Sequence, residues 1–296
     1  MATIVGLGEI LWDIIGDDRK LGGAPANFAF HAHQLGHNAI PVTRVGNDAL
    51  GREILDRLAG IGLTTEFVQI DPVKPTSTVP VKLDPAGSPT FKILENVAWD
   101  DLDGDDPKWQ RLREADLICF GTLAQRSETS KRAVHSLLRE SRSKKLFDIN
   151  LRPPYWSIPL VRENLPATDI LKLNDTELAD LQAGGLIDGP PDPIDYCRRL
   201  IRAFDLELVC VTRGPAGSLL VTADDLADHP GIPVQVADAV GAGDAFTAAI
   251  ADGWLNKKPL AEISDRANRL GAFVASQAGA TPKIPPDLLS GASTGP

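Results

Sequence analysis

The chain has 296 residues, 43% of them hydrophobic and 24% charged, with a formal net charge of −10. This is ordinary globular composition, at a length that suits two domains or one large α/β domain with an insert. Such acidity excludes a broad nucleic-acid or anionic-membrane surface, which needs a basic footprint, but not a local site for one small phosphate compound.

The opening residues Met1–Gly6 show no basic region leading into an apolar stretch, and no run of about 18 apolar residues occurs anywhere. Neither a signal peptide nor a membrane span is expected, and the expected location is cytoplasmic. Thr3–Gly8 is the first strand-like run. Gly6-x-Gly8 lacks the third glycine of a dinucleotide fingerprint, because position 11 is Leu. Next comes Leu21-Gly22-Gly23-Ala24-Pro25-Ala26-Asn27-Phe28-Ala29, glycines and then a helix with Pro25 near its first turn. Asn27 lies one turn in, facing back toward the glycines. The segment reads either as a ligand-facing loop or as a plain turn before an ordinary capped helix. His31 and His33 are two apart on that helix, so they face different ways rather than converge on a metal.

Ala39–Val45 is strand-like, and Leu50, Ile54, Leu58 and Ile61 recur at helical spacing. Val79, Val81 and Leu83 then alternate with polar or proline positions. Pro85-Ala86-Gly87-Ser88 supplies a turn, and Phe91 and Ile93 alternate again. The pattern predicts a β-hairpin with one buried face, projecting as a small insert. Asp100–Asp106 holds five aspartates in seven residues. It lacks the closing Glu of a calcium loop and is expected to be a solvated acidic loop.

Further along, Leu117–Gly121, Leu146–Ile149, Ile170–Leu173, Leu208–Thr212 and Ser218–Val221 read as strands. Helical patterns lie between them: one starts at Ser127 and carries Ala133, Val134, Leu137 and Leu138, and another runs from Ile194 to Phe204. Short apolar runs alternating with helices imply βα units and a mostly parallel sheet covered on both faces. Cys119, Cys197 and Cys210 are odd in number and far apart, which fits neither a disulfide framework nor a zinc site.

The most informative segment is Asp238-Ala239-Val240-Gly241-Ala242-Gly243-Asp244, leading into the helix-forming run Ala245–Gly253. Gly241 and Gly243 permit turns and close backbone approach. The free N–H groups of a first helical turn, with the helix dipole behind them, favour an anion. Asp244 at the lip of such a cradle is either a base placed beside a phosphate in flight or merely the helix N-cap.

The two glycine segments together resemble the PfkB (ribokinase-like) carbohydrate kinases over nearly the whole chain. Gly-Ala-Gly-Asp opening a late helix matches that family's second signature. Gly-Gly-x-x-x-Asn, followed by Arg44-Val45-Gly46-Asn47-Asp48-Ala49-Leu50-Gly51, matches the first. Gly22–Asn27 and Asp148-Ile149-Asn150-Leu151-Arg152 look most like fructokinases and related hexose or keto-sugar kinases. The chain departs from the family at Ala239, where Thr is usual.

The resemblance implies a single ribokinase-like α/β domain over 1–296, a three-layer sandwich with a central mostly parallel sheet. A β lid would be built from about 9–20 and 76–96. It implies an ATP-dependent sugar kinase acting on a primary hydroxyl, with fructose the first expectation. The alternatives are a 2-keto-3-deoxygluconate or nucleoside kinase of the same fold, or a non-catalytic sugar or nucleotide sensor. Asp244 would be the general base, with Gly241, Ala242 and Gly243 binding the transferred phosphoryl group. Asp13, Gly22, Gly23 and Asn27 would hold sugar hydroxyls. Arg152 would contact phosphate or substrate, or else make a surface salt bridge. Asn174 and Glu177 match an Asn-x-x-Glu motif that organises ATP phosphates, water and Mg²⁺, the last indirectly through Glu177. The same pair would equally make a capping box. Thr212, Arg213, Gly214, Gly217 and Asn268 would line the nucleotide, and Asp238 and Val240 would neighbour a monovalent cation such as K⁺. The expected partners are sugar and ATP, with a homodimer through the lid, and neither nucleic acid nor membrane.

Overall fold

The structure is a computed structural model that describes residues 1–15, 18–83, 89–91, 93–189 and 191–289. In chain order the elements are β1 (Thr3–Leu7), β2 (Leu11–Ile15), β3 (Asp18–Gly22), α1 (Ala24–Gln34), β4 (Asn38–Gly46), α2 (Ala49–Gly60) and β5 (Val68–Asp71). Then come β6 (Thr78–Leu83), β7 (Pro89–Phe91), β8 (Leu117–Phe120), α3 (Glu128–Glu140), β9 (Lys144–Asp148), α4 (Ile158–Asn164), β10 (Ile170–Asn174), α5 (Asp175–Ala183) and α6 (Pro193–Phe204). The chain closes with β11 (Leu208–Thr212), β12 (Ser218–Val221), β13 (Leu226–His229), α7 (Ala242–Leu255), α8 (Leu260–Ala275) and α9 (Pro286–Leu289).

Nine strands make the main sheet in the order β13-β12-β11-β10-β9-β8-β1-β4-β5. The pairings from β5 to β11 are parallel, and β12 and β13 add antiparallel at one edge. Both faces of the strands are buried, and their residues alternate between two cores. Ile4, Leu117, Cys119, Leu146, Ile170, Leu208 and Cys210 pack with Phe28 of α1, Ile54 of α2, Ala249 of α7 and Leu270 of α8. Their neighbours Val5, Ile118, Phe120, Phe147, Leu171, Val209 and Val211 pack with Leu137 of α3, Val161 of α4, Leu181 of α5 and Leu200 of α6. Three layers follow from a period-two pattern with apolar residues in both phases.

Local signals set the helix starts. Ser127 accepts from the Ser130 amide, Asp48 from Gly51, and Asp192 from Asp195. Each side chain satisfies a first-turn donor that has no partner within the helix.

Four strands form a second sheet in the order β3-β2-β6-β7. β2 runs antiparallel to β3 and parallel to β6, and β6 pairs antiparallel with β7. The expected hairpin is therefore half of a larger unit. The sequence pattern misses β2 and β3 as strands because Asp13, Asp18, Arg19 and Lys20 interrupt the apolar alternation. The turn expected at Pro85–Ser88 lies outside the described residues. Trp12 fixes this sheet to the main body: it is fully buried, donates from Nε1 to Leu50 O at 3.2 Å, and lies 4.8 Å beneath the Arg57 guanidinium.

The acidic stretch Asp100–Asp106 is not uniformly solvated. Asp100 is 4% exposed and takes Arg126 in a two-point pair of 2.7 and 2.9 Å. Arg126 lies in turn 4.0 Å from the Trp99 ring centre and 4.8 Å from that of Tyr155. The expectation fails because a buried arginine needs a counter-ion, and the first aspartate of the run supplies it. Asp103 and Asp105 remain exposed. Among the described residues no helix is long and apolar enough to cross a membrane.

Asp100→Ala would leave the Arg126 charge buried and alone. We expect a loss of about 3–5 kcal/mol in urea unfolding. A loss below about 1 kcal/mol would show that the pair does not anchor this segment.

Candidate active site

The carboxyl ends of β1, β8 and β9 open toward the N-terminus of α7, the position where open α/β sheets bind ligands. A cleft there is lined by Glu9, Pro25, Thr122, Asp148, Asn150 and Asp244, among others.

α7 begins with Gly241 as its N-cap residue, at φ 81°. A Cβ at Gly241 would stand 2.3 Å from Ala280 O, so both the turn and the packing require glycine. The first α-helical bond runs from the Ala245 amide to Gly241 O. The Gly243 and Asp244 amides precede it and have no partner among the described residues. They are the first-turn donors of a helix whose dipole favours negative charge. Asp244 sits within this turn and makes no cap bond, so the N-cap alternative is ruled out.

The Asn27 amide donates to Gly23 O at 3.0 Å, but its side chain turns away from the glycines. Its Nδ2 donates to Asp244 Oδ2 at 2.8 Å. One carboxylate oxygen is thereby oriented and the other is left toward the cleft. Burial pushes the Asp244 carboxyl up to about 6 and the Asp148 charge adds to this, against Asn27, Lys172 and Arg152. Such a group is ionised near neutrality yet accepts a proton readily, as a general base should.

Gly22 ends β3, and Gly23 is the N-cap residue of α1. A Cβ on Gly22 would come 2.5 Å from Asp13 Oδ2, and one on Gly23, at φ 111°, 2.5 Å from Glu9 O. Burial, with the Asp238 charge, pushes Asp13 up to about 6, while Lys20 and Arg152 oppose the shift. Arg152 is exposed and donates to Leu151 O; its charge acts on Glu9, Asp13 and Asp244. No carboxylate pairs with it among the described residues, so the surface salt-bridge alternative fails.

Asn174 and Glu177 form the capping box at the start of α5. The Glu177 amide donates to Asn174 Oδ1 and the Asn174 amide to Glu177 Oε2, both at 2.8 Å. Glu177 Oε1 also accepts the Leu151 amide at 2.8 Å. With both oxygens engaged, and no cluster of three metal-ligating side chains among the described residues, the donor set gives no direct cage for a metal ion. It fits a cation carried in by a phosphate ligand, met here through water.

The remaining expected residues form a second group. Thr212 ends β11 opposite Asn174. Gly214 and Gly217 have φ 54° and 83°, and a Cβ on Gly217 would meet His229 O at 2.0 Å. Arg213 is turned to the sheet edge, donating to Asp228 Oδ1, Ser218 O and His229 O. Asn268 spends both Nδ2 hydrogens on Ser218 Oγ and Ser264 O, each at 2.7 Å. These two side chains hold β12 and α8 in place. Asp238 accepts from the Val240 and Gly279 amides and from Lys20 Nζ, so its carboxylate secures the turn before α7; Val240 is 47% exposed.

Sequence reasoning missed Glu9, Lys172 and Thr247, and quoted Asp148 without giving it a role. Glu9 is 4% exposed and lines the cleft; burial pushes it up to about 7, against its own amide, Arg152 and the Ala24 amide. A lone Glu after a strand gives no signal by itself. A Lys inside an apolar strand run is a signal, because such a charge must find a partner.

Comparison with known proteins adds the following. The profile of the pfkB family carbohydrate kinases matches residues 17–287. A fructokinase of Klebsiella pneumoniae is 29% identical over 297 residues, covering 94% of this chain and 95% of that protein. The structure of an uncharacterized sugar kinase from Pyrococcus horikoshii in complex with ATP aligns with TM-score 0.82 and 28% identity over 95% of this chain and 93% of that one. Fructokinase from Vibrio cholerae O395, in its fructose, ADP and calcium ion bound form, aligns with TM-score 0.83 and 26% identity over 98% of both chains.

The raised proton affinity of Asp244 has a consequence for stability. Its ionised form is less favourable in the folded chain than in the unfolded one. The penalty appears above about 3.8, grows as pH rises to about 6, and is constant beyond. Asp244→Asn removes it. The variant should melt above the parent by a margin that widens from pH 4 to pH 7. A margin that narrows over that range would refute the burial argument.

Proposed function

The chain belongs to the pfkB family of carbohydrate kinases, and from that premise we propose that it transfers the γ-phosphoryl group of ATP to a primary hydroxyl of fructose. Its fold is the ribokinase-like three-layer sandwich of that family. The observation that carries the reading is Asp244, half-buried in the first turn of α7, oriented by Asn27 and beside two amides that have no partner among the described residues.

In this reaction Asp244 takes the proton of the attacking hydroxyl. That hydroxyl oxygen bonds to the γ-phosphorus as the bond to the β-γ bridging oxygen breaks, and ADP leaves. The Gly243 and Asp244 amides meet charge on the transferred group, where positioned dipoles act most strongly. Ala239 removes a hydroxyl from the approach to this turn and leaves those amides untouched. Asp13, with Gly22 and Gly23 giving it room, accepts sugar hydroxyls. Magnesium would come with the nucleotide and neutralise phosphate charge, its water shell facing Glu177. The second sheet would cover the sugar and exclude water, which would otherwise compete for the phosphoryl group.

Fructose is supported by the fructokinases among the relatives. Arg152 favours a second reading, because an exposed guanidinium facing the site, with no carboxylate partner among the described residues, suits an acidic sugar such as 2-keto-3-deoxygluconate.

A coupled ADP-release assay over a panel of sugars and nucleosides decides between them. We expect turnover with fructose, and a fall in kcat of at least ~10² for Asp244→Asn. Turnover only with the acidic sugar would replace the substrate. A folded Asp244→Asn variant within tenfold of the parent would refute the role of the base. Sugar binding in calorimetry with no ADP formed would identify a sensor.

A further inference from the structure

Beneath the first turn of α7 lies a buried polar cluster that the transfer reaction, as described, does not use. Lys172 and Asp148 face each other as register partners on β10 and β9. They are 7% and 6% exposed, with Lys172 Nζ 3.1 Å from Asp148 Oδ1. The other oxygen, Asp148 Oδ2, is 2.9 Å from Thr247 Oγ1, on a fully buried residue of α7. That same Oγ1 is 2.8 Å from Gly243 O, so its one hydrogen is shared between the two acceptors in a three-centre bond. A Cβ on Gly243 would stand 3.3 Å from Lys172 Nζ.

Stability does not explain this arrangement. A buried ion pair of this kind is often no better for stability than apolar residues of the same volume. Its geometry is informative instead. Both carboxylate oxygens of Asp148 have protein partners. One lies on the sheet and the other on the helix turn that carries the base. Gly243 O belongs to the peptide whose amide is that of Asp244, so whatever holds this carbonyl also aims the amide and the base.

We propose that Asp148 is a positioning residue for phosphoryl transfer: through Thr247 and Lys172 it clamps the Gly243–Asp244 peptide to the ends of β9 and β10. The inference rests on the kinase reading. The groups facing Asp244 are Asn27 from α1, Glu9 beyond β1, Cys119 on β8, Asp148 on β9, Arg152 beyond β9 and Lys172 on β10. Asp148 and Glu9 favour the protonated form of the base, and Lys172 and Arg152 the ionised one.

Thr247→Val tests the clamp while keeping shape and sparing the ion pair. We expect kcat to fall about tenfold to a hundredfold, the scale of a small displacement at a reacting centre. Both KM values should stay within about threefold, and Thr247→Ser should restore kcat. Asp148→Asn adds a second readout that structural damage alone would not move: the acid limb of the kcat–pH profile should shift to lower pH, because a negative charge beside Asp244 is gone. Parental kcat in Thr247→Val, failure of Thr247→Ser to restore it, or an unmoved limb in Asp148→Asn would each overturn the proposal. The unaltered protein is the control: no ADP from it with any sugar refutes the kinase reading, and the clamp with it. Activity in the parent beside unchanged variants refutes the clamp alone.

Discussion

The hydrogen bond from Asn27 to Asp244 joins two glycine segments 217 positions apart, and the site depends on it. For it to form, α1 and α7 must lie side by side on one face of the sheet. Glycine lets α1 close onto the sheet: a Cβ on Gly6 of β1 would stand 2.2 Å from Pro25 O at the start of α1. Further along the same helix, His31 Nε2 donates to Ala280 O at 2.9 Å. That carbonyl lies against Gly241, the N-cap of α7. One helix thus fixes the base through Asn27 and the back of the anion-facing turn through His31. Burial pushes His31 down to about 4, so the imidazole is neutral wherever Asp244 is ionised.

Charge is arranged around this contact in a way the net value of −10 does not suggest. Glu9, Asp13 and Asp244 crowd one end of the sheet, each pushed toward protonation by burial. Arg152 opposes all three, and Lys172 opposes Asp244 from below. The groups that would meet a phosphate in the proposed reaction are backbone amides, which carry no formal charge and need no basic residue. An acidic chain can therefore serve an anionic substrate at a helix end. Much of the remaining acidity is spent locally: Asp100 neutralises Arg126, and Asp252 takes both His37 and Arg266.

The strands and helices of the main layers were legible in the sequence because their signals are local. Short continuous apolar runs mark β1, β8, β9, β10 and β11, and the Ser127 cap marks the start of α3. Periodicity did not mark β2 and β3, because their polar residues owe their places to a second sheet and to the site rather than to a core; only the family resemblance pointed to β structure over about 9–20. The expected site residues divide in the same way. Asp244, Asn27, Asp13, Gly22, Gly23 and Gly241 converge, whereas Arg213 and Asn268 turn their donors to β12, β13 and α8.

By itself, the sequence determined that two glycine segments each open a helix, that one carries an acid, and that a parallel sheet lies between two layers. These follow from backbone freedom, capping and periodicity, which act over a few residues. Tertiary structure alone decided that Asn27 aims at the acid rather than at its own glycines. It likewise decided that Glu177 caps α5 while also holding Leu151, and that Asp148, Lys172 and Thr247 meet under the base. Each of these depends on which strand ends lie side by side. A hydrogen bond between residues on separate elements has no period or spacing to mark it in the chain.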